Sequence, residues 1–254
     1  RIKPLDAVAT AVGGAVGVGN IGGVATAIAL GGPGALFWIW IAALFGMALK
    51  SAEVSLAVYY RNIDENNDPY GGPTYYIQKG INELFKGKAS KLATFLALVF
   101  GVGFATNFFT GIQAYTITEG VTSVFNIDMI TFGTIYSIVV LIIVLGGGKS
   151  VTRFAGKVVP AMIMLFCLGA LGIIVINIKS LPSAIGLVFT SAFSGTAAIG
   201  GFAGAAFSKA IQFGVSRAVF SNEAGQGSSP MIHSQTPVEH PIRQGMWGVF
   251  EVFV

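Results

Sequence analysis

Twelve consecutive residues, Val12-Gly13-Gly14-Ala15-Val16-Gly17-Val18-Gly19-Asn20-Ile21-Gly22-Gly23, carry the chemistry most worth explaining in this chain. Six of the twelve are glycine, and each is about 1 kcal/mol worse than alanine inside a helix. They fall in the middle of an apolar run, Leu5 to Leu30, that is long enough to cross a bilayer. A span that opens there presents bare N–H and C=O groups, which can hold an ion or a small polar solute. Open main chain is tolerated at that depth only where protein or a water-filled cavity covers it. Glycine has a second use, the close approach of two helices. Asn20, a polar amide beside the glycines, favours a solute site near the bilayer midplane.

Other reactive groups read more plainly. Gly146-Gly147-Gly148-Lys149-Ser150 lacks the first glycine of a phosphate loop, since Ile143 stands in its place, and is read as a cytoplasmic turn. His233 and His240 have no acidic or cysteine partner at metal-ligand spacing and are expected to be solvated. Glu223 is expected to cap or anchor its loop. Lys50 and Glu53, three apart in an apolar run, are expected to pair with each other or to reach towards the near interface. Cys167 stands alone in an apolar segment and reads as packing. No Ser/His/Asp arrangement and no intramembrane carboxylate pair emerges, so the reading is not an enzyme and needs no cofactor.

The elements that must position the glycine stretch are membrane helices. Of 254 residues, 54% are apolar and 10% charged, against roughly a quarter charged in soluble domains; mean hydropathy is +0.75. The net charge of +4 is scattered between apolar runs, which argues against a nucleic-acid partner. The first span ends at Gly31-Gly32-Pro33-Gly34, and the second runs from about Ala35 to Tyr60. Arg61 to Ser90 is aqueous, with a surface helix over Thr74–Phe85. Further spans cover about Leu92–Thr118, Met129–Leu145 and Lys157–Ile178, the last with Pro160 in its first turn. Ser183 to Phe220 is 38 residues long; as one helix it would measure roughly 57 Å, nearly twice the hydrocarbon core. It must break, most simply at Ser194-Gly195-Thr196 or Gly200-Gly201, and Gly225 is a candidate C-cap. Arg243 begins a seventh span. With residue 1 and the 61–91 loop in the cytoplasm, 13 of the 15 basic residues, Lys209 among them, fall inside. The chain starts on Arg1 and stops at Val254 within an apolar segment, and is read as truncated at both ends.

Val16-Gly17-Val18-Gly19-Asn20, Phe189-Thr190-Ser191-Ala192-Phe193 and Ser221-Asn222-Glu223-Ala224-Gly225-Gln226-Gly227-Ser228 together resemble the alanine or glycine:cation symporters. These are sodium-coupled amino-acid transporters of the LeuT-like superfamily. The resemblance implies an all-α membrane fold of two inverted five-helix repeats, with first and sixth helices broken around the substrate. Residues 1–180 would form the first repeat and 181–254 the start of the second, making six complete spans and the beginning of a seventh. It also implies roles. The opened stretch from Gly17 through Val18 and Gly19 would hold the substrate carboxylate on main-chain N–H groups. Carbonyls near Gly13, Ala15 and Val16, with the Asn20 side chain and the Thr190 hydroxyl, would suit Na⁺. Phe193 and Ser194 would wall a pocket sized for a small side chain, and Thr110 or Gln113 would reach the substrate from the third span. The implied activity is sodium-coupled symport of alanine or glycine in the plasma membrane, with lipid as the surrounding partner. A channel or facilitator lined by the same glycines, or a structural subunit packed through them, is the alternative.

Overall fold

The computed structural model describes residues 4–17, 19–110, 112–193 and 203–254. The first apolar run forms α1 (Pro4–Ala15) and α2 (Val24–Gly31), separated by an irregular stretch and a π-helical turn over Gly19–Gly23. The two halves are bent by 43°. Then come α3 (Ala35–Tyr59), a two-residue antiparallel ladder pairing Asn62 with Tyr70 and Ile63 with Pro69, and α4 (Pro73–Leu84). The chain continues through α5 (Ser90–Thr110), α6 (Ile112–Phe125), α7 (Met129–Leu145) and α8 (Gly147–Ile176). It closes with α9 (Leu181–Phe193), α10 (Ala203–Asn222), α11 (Ser228–His233) and α12 (Pro241–Phe253).

Two described helices, α3 and residues 150–176 of α8, are long and apolar enough to cross a membrane, and the bent first pair makes a third. Residues 90–106, 129–145 and 178–193 are shorter apolar helices. Helix α7 has the bounds expected, because the Asp128 carboxylate accepts from the Thr131 N–H at 2.9 Å and caps its start. That bond, with a second from the Thr131 hydroxyl, holds the Asp128 carboxyl below its usual range. Helix α8 begins ten residues before the expected Lys157, so Pro160 lies in its interior and not in its first turn. Lys149 and Arg153 make that first part polar and hide it from a hydropathy reading.

Helix α3 is the post around which the described residues gather. Helices α9, α10, α11 and α12 all pack on it, and α1 packs on α8, α11 and α12. The ring of Trp38 donates to the Ala192 carbonyl at 3.2 Å, tying α9 to the top of α3. Several contacts are between main chains with no room for a side chain. A methyl group on Gly214 of α10 would stand 2.6 Å from the Ala35 carbonyl and 2.7 Å from Trp38 Cβ. Gly34 lies equally close to the main chain of Ser191 and Ala192. At the opposite end of α3, α4 docks through polar contacts. The Lys79 ammonium donates to the Tyr60 carbonyl at 3.0 Å, and the Tyr60 hydroxyl donates to Glu83 at 2.8 Å. That bond to a carboxylate pushes the Tyr60 phenol up to about 12.

One basic residue departs from the charge count. The Lys209 carbonyl lies beside Gly31, at the far end of the first span from α1, so Lys209 does not belong with the inside set. Helix α10 runs antiparallel to α2, bringing Arg217 beside Gly23 and Phe213 beside Gly31.

Gly214→Val overpacks the α3–α10 contact, a change that costs about 1–3 kcal/mol. A melting curve of the full-length protein should show a midpoint several degrees lower; an unchanged midpoint would mean that the two helices are not in van der Waals contact there.

Candidate functional site

The interruption in the first span is built from short-range chemistry. The Val16 N–H still donates to the Val12 carbonyl at 2.6 Å, the last regular bond of α1. Beyond it the Gly17 N–H is satisfied by the Asn20 side-chain oxygen at 3.2 Å, and the Asn20 N–H by the Gly17 carbonyl at 3.1 Å. Asn20 thus closes the gap from one side, as a cap does at a helix start. The π-helical turn that follows is a form that recurs at functional sites. Gly13 faces Val159 of α8, and Gly14 faces the Glu223 carboxylate, 3.8 Å from where a Cβ would stand. Val12 is buried with Val8 against Val159 of α8, and Ala15 is also buried. Gly13, Ala15, Val16, Gly17, Gly19 and Asn20 are therefore all at or beside the opening, whereas Val18 lies outside the described residues.

The remaining expected site residues are not gathered there. Thr190 and Phe193 are on α9, whose end abuts Gly34. The Thr190 hydroxyl donates to the Gly186 and Leu187 carbonyls at 3.0 and 3.2 Å. The Phe193 ring packs edge-on against Phe37 at 5.0 Å between centroids and against Trp38 at 6.1 Å. From Asn20 to the Gly31 end of the span is roughly 15 Å along the helix, so in this arrangement Thr190 and Asn20 cannot share one ion. Ser194, and the expected break at 194–201, lie outside the described residues, as do the side chains of Thr110 and Gln113. Helix α10 lies along the π-helical turn and α2.

A second constellation escapes the sequence reading. Lys50 is fully buried, so it does not reach the interface, and its direct contacts lie on other helices. Its ammonium donates to the Asn222 carbonyl at 3.0 Å, at the C-terminus of α10, and lies 3.9 Å from the Glu251 carboxylate of α12. Glu53 accepts from the Gly225 N–H at 3.1 Å. Asn222 accepts from the Ala224 N–H at 2.9 Å, and Glu223 from the Ser228 hydroxyl at 2.6 Å. The left-handed residue that follows α10 is Glu223, with φ of 52°, so the helix stops before Gly225. His233 is not solvated: it is fully buried, with Glu251 on one ring nitrogen and Gln244 on the other. Ser229 donates to Glu251 at 2.6 Å. Arg61 adds two bonds, to the Thr236 and Val238 carbonyls at 2.6 and 3.0 Å. An ammonium inside an apolar run needs a partner on another element, and that was the available signal. The partner, 201 residues away in sequence, could not be named without the fold.

A helical membrane protein whose leading span is opened at glycines and closed by an amide has the architecture of a solute carrier. A model of the sodium:alanine symporter family matches residues 1–254, and the chain belongs to that family. It is 39% identical over 253 residues to a sodium/alanine symporter of Methanococcus maripaludis, covering all of this chain and 54% of that one. It is 41% identical to an uncharacterised transporter of Haemophilus influenzae, again over the whole chain and 54% of the relative. An amino-acid carrier protein of Bacillus subtilis is 35% identical over 94% of this chain and 49% of its own length. The chain spans about half the length of these curated relatives.

Lys50→Met leaves the Glu251 carboxylate buried beside an apolar chain, and breaking a buried pair in this way costs about 3–5 kcal/mol. In the full-length protein Lys50→Met should lower thermal stability sharply, and Lys50→Met with Glu251→Gln should recover part of the loss. A double variant no more stable than the single one would show that the two groups are not coupled.

Proposed function

We propose that the full-length protein carries out sodium-coupled symport of a small neutral amino acid, alanine or glycine, by alternating access. The observation that carries this is the opening at Val16–Gly19 with Asn20 closing onto Gly17. Only one of the Asn20 oxygen's lone pairs is used in that bond, so the amide can hold the loop open and still face a cation. Main-chain carbonyls near Gly13, Ala15 and Val16 supply neutral oxygens of the kind hard cations take. The Val18 and Gly19 N–H groups hold the substrate carboxylate, as helix N-termini do. Family membership and the names of the relatives support the ion and the solute class.

The fold belongs to the LeuT-like inverted-repeat class in this proposal, with residues 1–180 as the first repeat and 181–254 opening the second. Residue 1 and the 61–91 loop face the cytoplasm. Thr190, Phe193 and Ser194 complete the pocket in a closed state. Thr110 or Gln113 approaches from the third span. A channel lined by the same glycines is the competing reading, and it differs in one respect: it cannot accumulate solute against a gradient.

Labelled alanine and glycine uptake by the full-length protein in proteoliposomes tests the proposal. An inward sodium gradient should drive accumulation, and Asn20→Asp or Gly19→Leu should abolish it while membrane expression stays intact. Equilibration without accumulation supports the channel, and wild-type uptake by Gly19→Leu removes the opened span from the mechanism.

A further inference from the structure

Two helices end beside the opening, and their C-termini are met differently. Helix α10 ends at Asn222, whose carbonyl receives the Lys50 ammonium at 3.0 Å, so the negative end of that helix faces a cation. Helix α1 ends at Ala15 with no basic residue in its last turn. A second negative group stands there instead: Glu223 Oε2 lies 3.8 Å from where a Cβ on Gly14 would be. A carboxylate against a helix C-terminus is the unfavourable pairing of charge and dipole. Without a cation between them, the two repel.

Oxygens at this place are free to take one. Glu223 is half-buried; its Oε2 accepts from the Ser228 hydroxyl at 2.6 Å, and its Oε1 has no hydrogen-bond partner among the described residues. The Gly17 N–H, which would continue the α1 ladder onto the Gly13 carbonyl, is turned to Asn20, so that carbonyl loses its helical partner. Gly14 is exposed, and among the described residues no side chain but Glu223 comes within 4 Å of its Cβ position. The fixed cations are committed elsewhere. Lys50 is in electrostatic reach of Glu223, but its near contacts are the Asn222 carbonyl and Glu251. Arg217 lies across the opening, beside Gly23. A carboxylate oxygen and a neutral main-chain oxygen are the ligands that a small hard cation takes.

We propose that Glu223 supplies the anionic ligand of the coupling-ion site, its free Oε1 and the Gly13 carbonyl serving one sodium ion at the end of α1. This rests on the reading of the opening as a sodium site, and adds to it the charged group, contributed by a different part of the chain. Sodium is then the cation that α1 lacks. Bound, it draws the turn after α10 onto the broken span; absent, carboxylate and helix end repel. Ion occupancy thereby sets how tightly that turn, which Lys50 and Glu53 hold to α3, is joined to the first span.

The test is labelled alanine uptake by the full-length protein in proteoliposomes across a series of sodium concentrations. Glu223→Gln keeps an oxygen for the Ser228 hydroxyl and loses only the charge. It should raise the half-saturating sodium concentration by about tenfold or more, as loss of a charged ligand does at hard-cation sites. Ser228→Ala breaks the anchor and keeps the charge; it should lower the melting midpoint and leave the sodium dependence as in the wild type. In the wild type, sodium alone should slow amide hydrogen exchange in peptides covering 222–228 as well as 13–17, a readout that needs no variant. Sodium-driven wild-type uptake with an unmoved half-saturation in Glu223→Gln overturns the role of Glu223 and leaves the symport reading standing. So does an equal rise in Ser228→Ala, or slowed exchange confined to the first span. Wild-type protein that accumulates alanine without regard to sodium overturns both.

Discussion

Main-chain groups withdrawn from water must find partners, and in the first span that requirement governs what the glycines can do. A helix interrupted at Val16–Gly19 leaves N–H and C=O groups without their usual ladder. The Asn20 side chain answers one of them, at Gly17, from three residues away. That bond ties Gly17, just past α1, to the π-helical turn. Glycine makes the interruption cheap, and it also lets α8 and the 223–227 turn come close behind it.

That turn is where the second half of the described residues is fastened. Three side chains hold three successive points of it: Lys50 on the Asn222 carbonyl, Glu53 on the Gly225 N–H and Glu223 on the Ser228 hydroxyl. Buried ion pairs contribute little net stability, because desolvation offsets the attraction, but leaving one partner alone is costly. Their effect here is to fix register. Helix α10 ends at one residue, against one level of α3, and Gly14 of α1 meets Glu223 at the same level. The glycine-rich span and the Asn-Glu-Ala-Gly block, far apart in sequence, thereby become neighbours.

What could be read from the residues alone follows the range of the interactions involved. The first opening rests on six local glycines, and α7 on an unbroken apolar run, so both were legible. The early start of α8 was not, because Lys149 and Arg153 interrupt the apolar pattern while the backbone continues as helix. Lys50, Glu53 and His233 were given local or solvent partners, since sequence shows only near neighbours, and their true partners come from α10, α11 and α12. Lys209 was assigned to the wrong end because the position of α10 along α2 is set by close glycine contacts. Of the expected site, the described residues of the first span lie together because they are neighbours in sequence. Thr190 and Phe193 stand instead at the Gly34 end, packed on the aromatic top of α3.

The central claim is that the main chain between Val16 and Asn20 is the binding surface. Backbone amide hydrogen exchange of the full-length protein, read on peptides covering residues 13–23 with and without sodium and alanine, tests it most directly. Sodium and alanine together should slow exchange in this stretch strongly, sodium alone should slow it less, and α7 should be unaffected. Identical exchange under all three conditions, in protein that binds alanine, would place the solute elsewhere and contradict the account.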